Sequence, residues 1–373
     1  MPQAEDIIAF LEKLENPNVA IDQAKCLKVR NRNASCRKCA DACTSGCISF
    51  EDNKLIIQEE KCVGCGTCST VCPTCALLAM QPGDAELLRQ ATLAMLANGG
   101  DVVLAAQPVL DENAGCFDAT KVVPVVNLGR VEETLIVSLA NAGAKTVTLV
   151  QPTRMDAHEA HGLEVARMVC DTANRILEVW DNPCRAGIVA ALPPSVCGEY
   201  AGQGSKATTL EPVIHTSTKV ERHLSVMDDG TLPHFIPDRR EHLLDALYDM
   251  GDPMDEIINC RLWGHVVIDM SKCLGYRMCA TFCPTGAIFK FTDEDGTTGI
   301  EHAPGDCVKC RCCEDICPAD ALTLSDVVRA EDVVSGTVDR YIMPPESFRR
   351  TNPHSMVNSL RGLGIKAIFE QSS

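Results

Sequence analysis

The residues best placed to do chemistry in this chain are Cys62-Val63-Gly64-Cys65-Gly66-Thr67-Cys68-Ser69-Thr70-Val71-Cys72-Pro73, a C-x2-C-x2-C-x3-C-P run. Two residues between cysteines form a tight turn that points successive thiolates at one metal cage. The small Gly64, Gly66 and Thr67 let backbone amides approach the sulfurs. The fourth cysteine stands one helical turn on and faces the other way, so it serves a neighbouring cage. Pro73 fixes φ and withholds a donor beside it. Soft thiolates at this spacing select iron–sulfur clusters. The run therefore predicts binding of cubane [4Fe-4S] clusters.

Cysteine is the outlier of the composition, 23 of 373 residues, in a chain far too long to be a small disulfide scaffold. Most of the cysteines fall in two blocks, residues 26–75 and 260–317. In the first block Cys36-x2-Cys39-x3-Cys43 precedes the run above. Asn33 stands where another cysteine is expected, and Cys26 replaces it across a basic nine-residue insertion, LKVRNRNAS. Crossing the fourth ligands gives one set of Cys26, Cys36, Cys39 and Cys72 and another of Cys43, Cys62, Cys65 and Cys68. The insertion, with Lys28, Arg30 and Arg32, reads as a solvated loop or as a contact to an acidic partner. Cys47 and Cys75 read as thiols packed beside the cages, with a role as substitute ligands the alternative.

The second block repeats the pattern as Cys273-x5-Cys279-x3-Cys283-Pro284 and Cys307-x2-Cys310-x2-Cys313-x3-Cys317-Pro318, an internal duplication. Cys283, Cys307, Cys310 and Cys313 complete a third cubane set. The fourth set holds Cys273, Cys279 and Cys317, with Tyr276 at its middle position. Phenolate matches a thiolate cluster site poorly. Three readings stay open there: a [3Fe-4S] cluster on three cysteines, loss of the cluster, or a cubane completed by Cys260, Cys312, water or a small ligand. Cys116, Cys170, Cys184 and Cys197 are scattered and read as inert buried thiols. The cofactor expectation is about three [4Fe-4S] clusters, with one [3Fe-4S] cluster among the alternatives.

A net charge of −17 argues against a nucleic-acid surface, since phosphate binding needs a basic footprint. An acidic balance serves solubility, or docking to a basic patch on a redox partner. Residues 1–20 mix acidic with apolar residues and lack the basic start of a signal peptide, so a lead-in helix over 4–15 is expected. The Arg pairs at 239–240 and 349–350 lie far from the N-terminus, and no apolar run reaches the length of a transmembrane segment. A cytoplasmic location is the default expectation. Export in company with a signal-bearing partner stays open.

The elements that must position these cysteines follow from periodicity. A first module spans 21–82. Residues 83–195 alternate helices with apolar strands: helix 84–98 with Asp84 as N-cap, strand 101–106, strand 122–126, helix 131–141, strand 146–151, helix 156–180 and strand 187–192. That order predicts a mostly parallel sheet with helices on its faces. Residues 196–257 read as a linker carrying a short helix at 238–249, 258–327 as the second module, and 328–373 as a docking tail. Within the tail, residues 341–373 read either as a strap across a partner or as a strand-like extension folded back on the chain's own modules. The fold class is α+β, two dicluster modules flanking a central α/β domain. No G-x-G-x-x-G follows a strand, and Gly198 to Lys206 lacks the spacing of a P-loop. His158 and His161 open a helix after Asp156, where polar residues are ordinary.

The two cysteine blocks resemble the two-cluster domains of bacterial-type ferredoxins. Over Val125-Val126-Asn127-Leu128-Gly129-Arg130-Val131-Glu132, with Gly143-Ala144 following, the central domain is similar to the delta subunit of methyl-viologen-reducing hydrogenases. That resemblance implies a further cluster on nearby cysteines and relay of electrons to partner enzymes. Asn127, Leu128 and Gln151 stand where those cysteines belong, which turns the expectation toward docking or spacing. The whole reads as an iron–sulfur electron-transfer protein, a subunit or partner of an anaerobic oxidoreductase complex of hydrogenase or formate-dehydrogenase type. Its partners are expected to be redox proteins in a hetero-oligomer, with substrate chemistry left to them. A flavin-binding oxidoreductase subunit and a redox sensor built on the three-cysteine site are the alternatives.

Overall fold

A computed structural model describes residues 18–198, 232 and 234–343. The expected lead-in helix, most of the Gly198 to Lys206 stretch and the chain after Met343 lie outside the described residues. At the centre is a four-stranded parallel sheet. Its strands are β1 (Asp101–Ala106), β2 (Val122–Val125), β3 (Thr146–Val150) and β4 (Arg185–Val189), in the order β2-β1-β3-β4. The register sets Leu104 beside Val123 on one side and Leu149 on the other. Val102 to Ala106 are all buried, as a strand covered on both faces demands.

Helices cover this sheet: α1 (Asp84–Ala97), α2 (Gln107–Glu112), α3 (Glu133–Asn141), α4 (Ala157–Val179) and α5 (Asp238–Met250). Asp156 and Glu159 close a capping box on α4. Helix α1 does not use Asp84 as its N-cap. Gly83 takes that position and Asp84 is the first helical residue, because its carboxylate is committed to two arginines described below. Helix α5, expected within a linker, belongs to the core instead: Leu243, Ala246 and Leu247 are buried with the central sheet. Trp180 Nε1 ties α4 to Gly251 O just beyond it, at 3.0 Å.

The two cysteine blocks share one plan on either side of this domain. In the first, an opening strand Val19–Ile21 pairs antiparallel with a closing strand Leu77–Ala79, around a hairpin of Ile48–Glu51 with Lys54–Ile57. In the second, His265–Ile268 pairs with Leu322–Ser325 around a hairpin of Ile288–Thr292 with Thr298–His302. The hairpin of the second block gains a third strand, Asp339–Ile342. Residues 327–329 likewise pair back onto 257–259. The described part of 328–373 is therefore built into the body of the protein rather than held out as a tail. Among the described residues no helix is long and apolar enough to cross a membrane.

Candidate metal centres

The Cys62–Cys68 loop takes its shape from two left-handed residues, Gly64 and Gly66 at φ +70° and +75°. A buried helical turn, Thr67–Val71, follows. Alternating left-handed residues turn successive N–H groups toward one point, a concavity suited to an anionic sulfide cage. The same alternation recurs at Gly275 and Arg277 (φ +66° and +54°) and at Lys309 and Arg311 (φ +47° and +63°). Tyr276 therefore sits on the backbone that elsewhere carries Cys65 and Cys310.

Folding brings the predicted ligands together in sets. Cys26, Cys36, Cys39 and Cys72 line one cavity. Cys283, Cys307, Cys310 and Cys313 line another. Cys273, Cys279 and Cys317 line a third, with Tyr276 and Met343. Cys68 faces Cys65, Cys43 and Cys62, and burial followed by these neighbours pushes its thiol well up. All 23 cysteines are free of disulfides, and of the four scattered thiols Cys170 and Cys184 are buried whereas Cys116 and Cys197 are exposed. Among the described residues, no three cysteine sulfurs lie within 4.8 Å of one another. One tetrahedral zinc at 2.3 Å would hold its sulfurs about 3.8 Å apart, closer than any three of these stand.

The electrostatics ask for a cationic centre. Burial, then Cys72, Cys26 and Cys36, raise the Cys39 thiol. Burial likewise lifts Cys307 to about 11 and Cys279 to about 12. Several thiolates in a dry cavity are unstable alone and become stable ligands around iron. Cys43 is the exception. Despite burial it is held below the usual thiol range by hydrogen bonds from Ser45 and Cys47, the latter 3.4 Å away. Cys47 thus packs directly beside a predicted ligand.

At the three-cysteine cavity Cys273 Sγ lies 3.4 Å from Met343 Sδ, a residue just past the Asp339–Ile342 strand, in the stretch expected to be a tail. The two thiols weighed as a fourth ligand lie elsewhere. Cys260 is packed in the central core, where its carbonyl accepts from Lys309 Nζ at 2.6 Å. Cys312 is buried with Leu27, Ala34 and Ile316.

That last group is the joint between the two modules, where Cys36 and Cys310 pack around the same apolar patch. Ser35 N donates to Asp315 Oδ2 at 2.7 Å across it. The basic insertion is tied back onto the chain rather than left as a free loop. Lys28 Nζ donates to Arg32 O and Ala34 O, both at 2.8 Å, and Leu27 and Ala34 are wholly buried in the joint. Arg30 Nη1 donates to Ala24 O, and its charge faces Cys312, Cys283 and Cys310. Cys68 neighbours Cys39, Cys36 and Cys310 pack against the same apolar patch at the joint, and Cys313 neighbours Cys279, so the cysteine sets follow one another in that order.

A set of ion pairs, absent from the sequence reading, docks the first module onto the central domain. Arg130 Nη2 and Arg239 Nε each donate to Asp84 at 2.7 Å, and Arg239 Nη1 donates to Ser69 O at 2.7 Å. These arginines hold the Asp84 carboxyl down at about 2 against its burial. Arg261 forks onto Glu133 at 2.5 and 2.6 Å and reaches Thr70 O. Partners so far apart in the chain leave no local pattern to read. Asn127, at the expected cysteine position of the central domain, is spent on structure. Its Oδ1 accepts from Gly129 N and its Nδ2 donates to His158 O. His158 pairs with Thr44 and His161 with Glu164, so the two do not converge.

Residues 55–76 match the family model of the 4Fe-4S binding domain. The match covers Cys62 to Cys72 and supports both [4Fe-4S] binding and an iron–sulfur electron-transfer role. No curated protein matches the chain.

Proposed function

We propose that the chain is a relay in which two dicluster modules, joined end to end, carry single electrons between redox proteins. The observation that carries this reading is the joint at Cys36, Cys310 and Cys312, which brings the sulfur-lined cavity of the first module against that of the second. Cys26, Cys36, Cys39 and Cys72, then Cys43, Cys62, Cys65 and Cys68, then Cys283, Cys307, Cys310 and Cys313 would each hold a [4Fe-4S] cluster. Cys273, Cys279 and Cys317 would hold a [3Fe-4S] cluster, supported by a cavity that stays open beside Tyr276. Each bound cluster supplies a reversible one-electron change.

The chain's own residues do the rest. Buried turns aim N–H groups at the cages and set their potentials, and the apolar joint excludes water between the inner two. The central domain, with Asn127 used as a cap, serves as the rigid brace to which Arg239 and Arg261 fasten the modules. The acidic surface suits a basic face on the catalytic subunit of an anaerobic oxidoreductase.

The test is anaerobic EPR before and after dithionite, with iron and sulfide measured on the same sample. The expected result is about fifteen irons per chain, as three cubanes and one three-iron cluster require. A near-isotropic oxidised signal should be present and should vanish in Tyr276→Cys. About twelve irons with no such signal would empty the Tyr276 site. Eight or fewer would overturn the relay.

A further inference from the structure

Outside the cysteine sets, His265, His302 and Asp339 converge from three strands of the second module. His302 and Asp339 are direct register partners on neighbouring strands, and His265 reaches them from the other sheet. His302 is wholly buried, yet both ring nitrogens lack a hydrogen bond, and so does Asp339 Oδ2. A buried imidazole with two idle nitrogens forfeits a large desolvation energy and calls for an explanation.

We infer that His265, His302 and Asp339 bind a single divalent transition-metal ion of the zinc or ferrous type, separate from the clusters. Asp339 Oδ2 lies 3.2 Å from His265 Nδ1 and 3.8 Å from His302 Nδ1. Bonds of about 2.0–2.1 Å in a tetrahedral site set ligand atoms about 3.3 Å apart, so the carboxylate already stands at ligand spacing from both rings. Two imidazoles and a carboxylate are the donor set of borderline cations rather than of calcium or magnesium. His265 and Asp339 are each a third exposed, which leaves an open coordination position toward solvent. The ion would clamp the strand of Asp339 to that of His265, and that same strand leads to Met343 beside Cys273.

The test uses the cluster-loaded chain, washed with chelator and equilibrated anaerobically with Zn2+ alone. The expected outcome is one zinc per chain at micromolar concentration, with the iron count unchanged. X-ray absorption at the zinc edge should give nitrogen and oxygen ligands at about 2.0–2.1 Å. His265→Gln and Asp339→Asn, both at the rim, should weaken binding at least tenfold at constant iron. No uptake, uptake in either variant equal to that of the unsubstituted chain, or sulfur ligands at about 2.3 Å would overturn the assignment and leave the two rings as an edge-to-face packing pair.

Discussion

The Cys62–Cys68 and Cys307–Cys313 loops share one backbone and differ in what stands at its two left-handed positions. The first uses Gly64 and Gly66, the second Lys309 and Arg311. Backbone preference does not explain the difference, since the dihedral requirement is the same. The surroundings do. A Cβ on Gly66 would meet Arg130 Cδ at 2.5 Å, because the central domain lies against this loop. The second loop has room, and its side chains work as pins. Lys309 reaches Cys260 O and Asp326, at 2.6 and 2.8 Å, while Arg311 pairs with Glu314 and Asp326. Gly66 marks where the central domain presses on the first loop, and Lys309 marks where the second loop fastens itself.

Exchanging residues between the loops would break or sharpen this contrast. Gly66→Arg combines a left-handed penalty with overpacking against Arg130, together more than about 3 kcal/mol. Amide hydrogen exchange at Thr67 to Val71 should accelerate more than about 100-fold, and an unchanged rate would refute the packing argument.

Asp84→Asn comes next. It strands two arginines against the first module at about 2–3 kcal/mol, the low side for a broken buried pair because the carboxylate is a third exposed. Its pKa is depressed from 3.8 to about 2 in the folded protein, so its stabilisation is full above about pH 4. It is lost as pH falls toward 2, and Asp84→Asn should remove that acid step from an unfolding profile.

Lys309→Gly relieves about 1 kcal/mol of left-handed strain but loses a charge-assisted bond of about 2–3 kcal/mol. Exchange at Val308 to Cys310 should rise about 5- to 30-fold. Arg311→Gly should be nearly silent, within about 0.5 kcal/mol, because exposed ion pairs and relieved strain cancel. A large effect there would mean that the pins carry more than the geometry suggests.

Much of the central sheet and the gathering of the thiols were legible because both depend on local period. Val102 to Ala106 reads as a buried strand, and cysteines two and three apart read as a turn and a helix. The joint was not legible, since Ser35 and Asp315 are 280 residues apart and the insertion's charges point to solvent or a partner. Asp84 misled for a related reason. Its position favours a cap, but tertiary arginines claim the carboxylate, a competition that propensity cannot see. Helix α5 reads as linker because its flanks carry Gly and Pro, although Leu243 and Leu247 belong to the core. Tyr276 was visible as a missing thiolate, whereas Met343 beside that cavity had no pattern at all.

The joint also gives the chain a biosynthetic direction. Every cysteine proposed for the first two cages lies between residues 26 and 72, so all of those thiols are synthesised before the second module. The outer wall at Cys36 is finished only when Cys312 and Ile316 arrive. Until then that edge of the first module stands uncovered, and the arrival of the second module covers it.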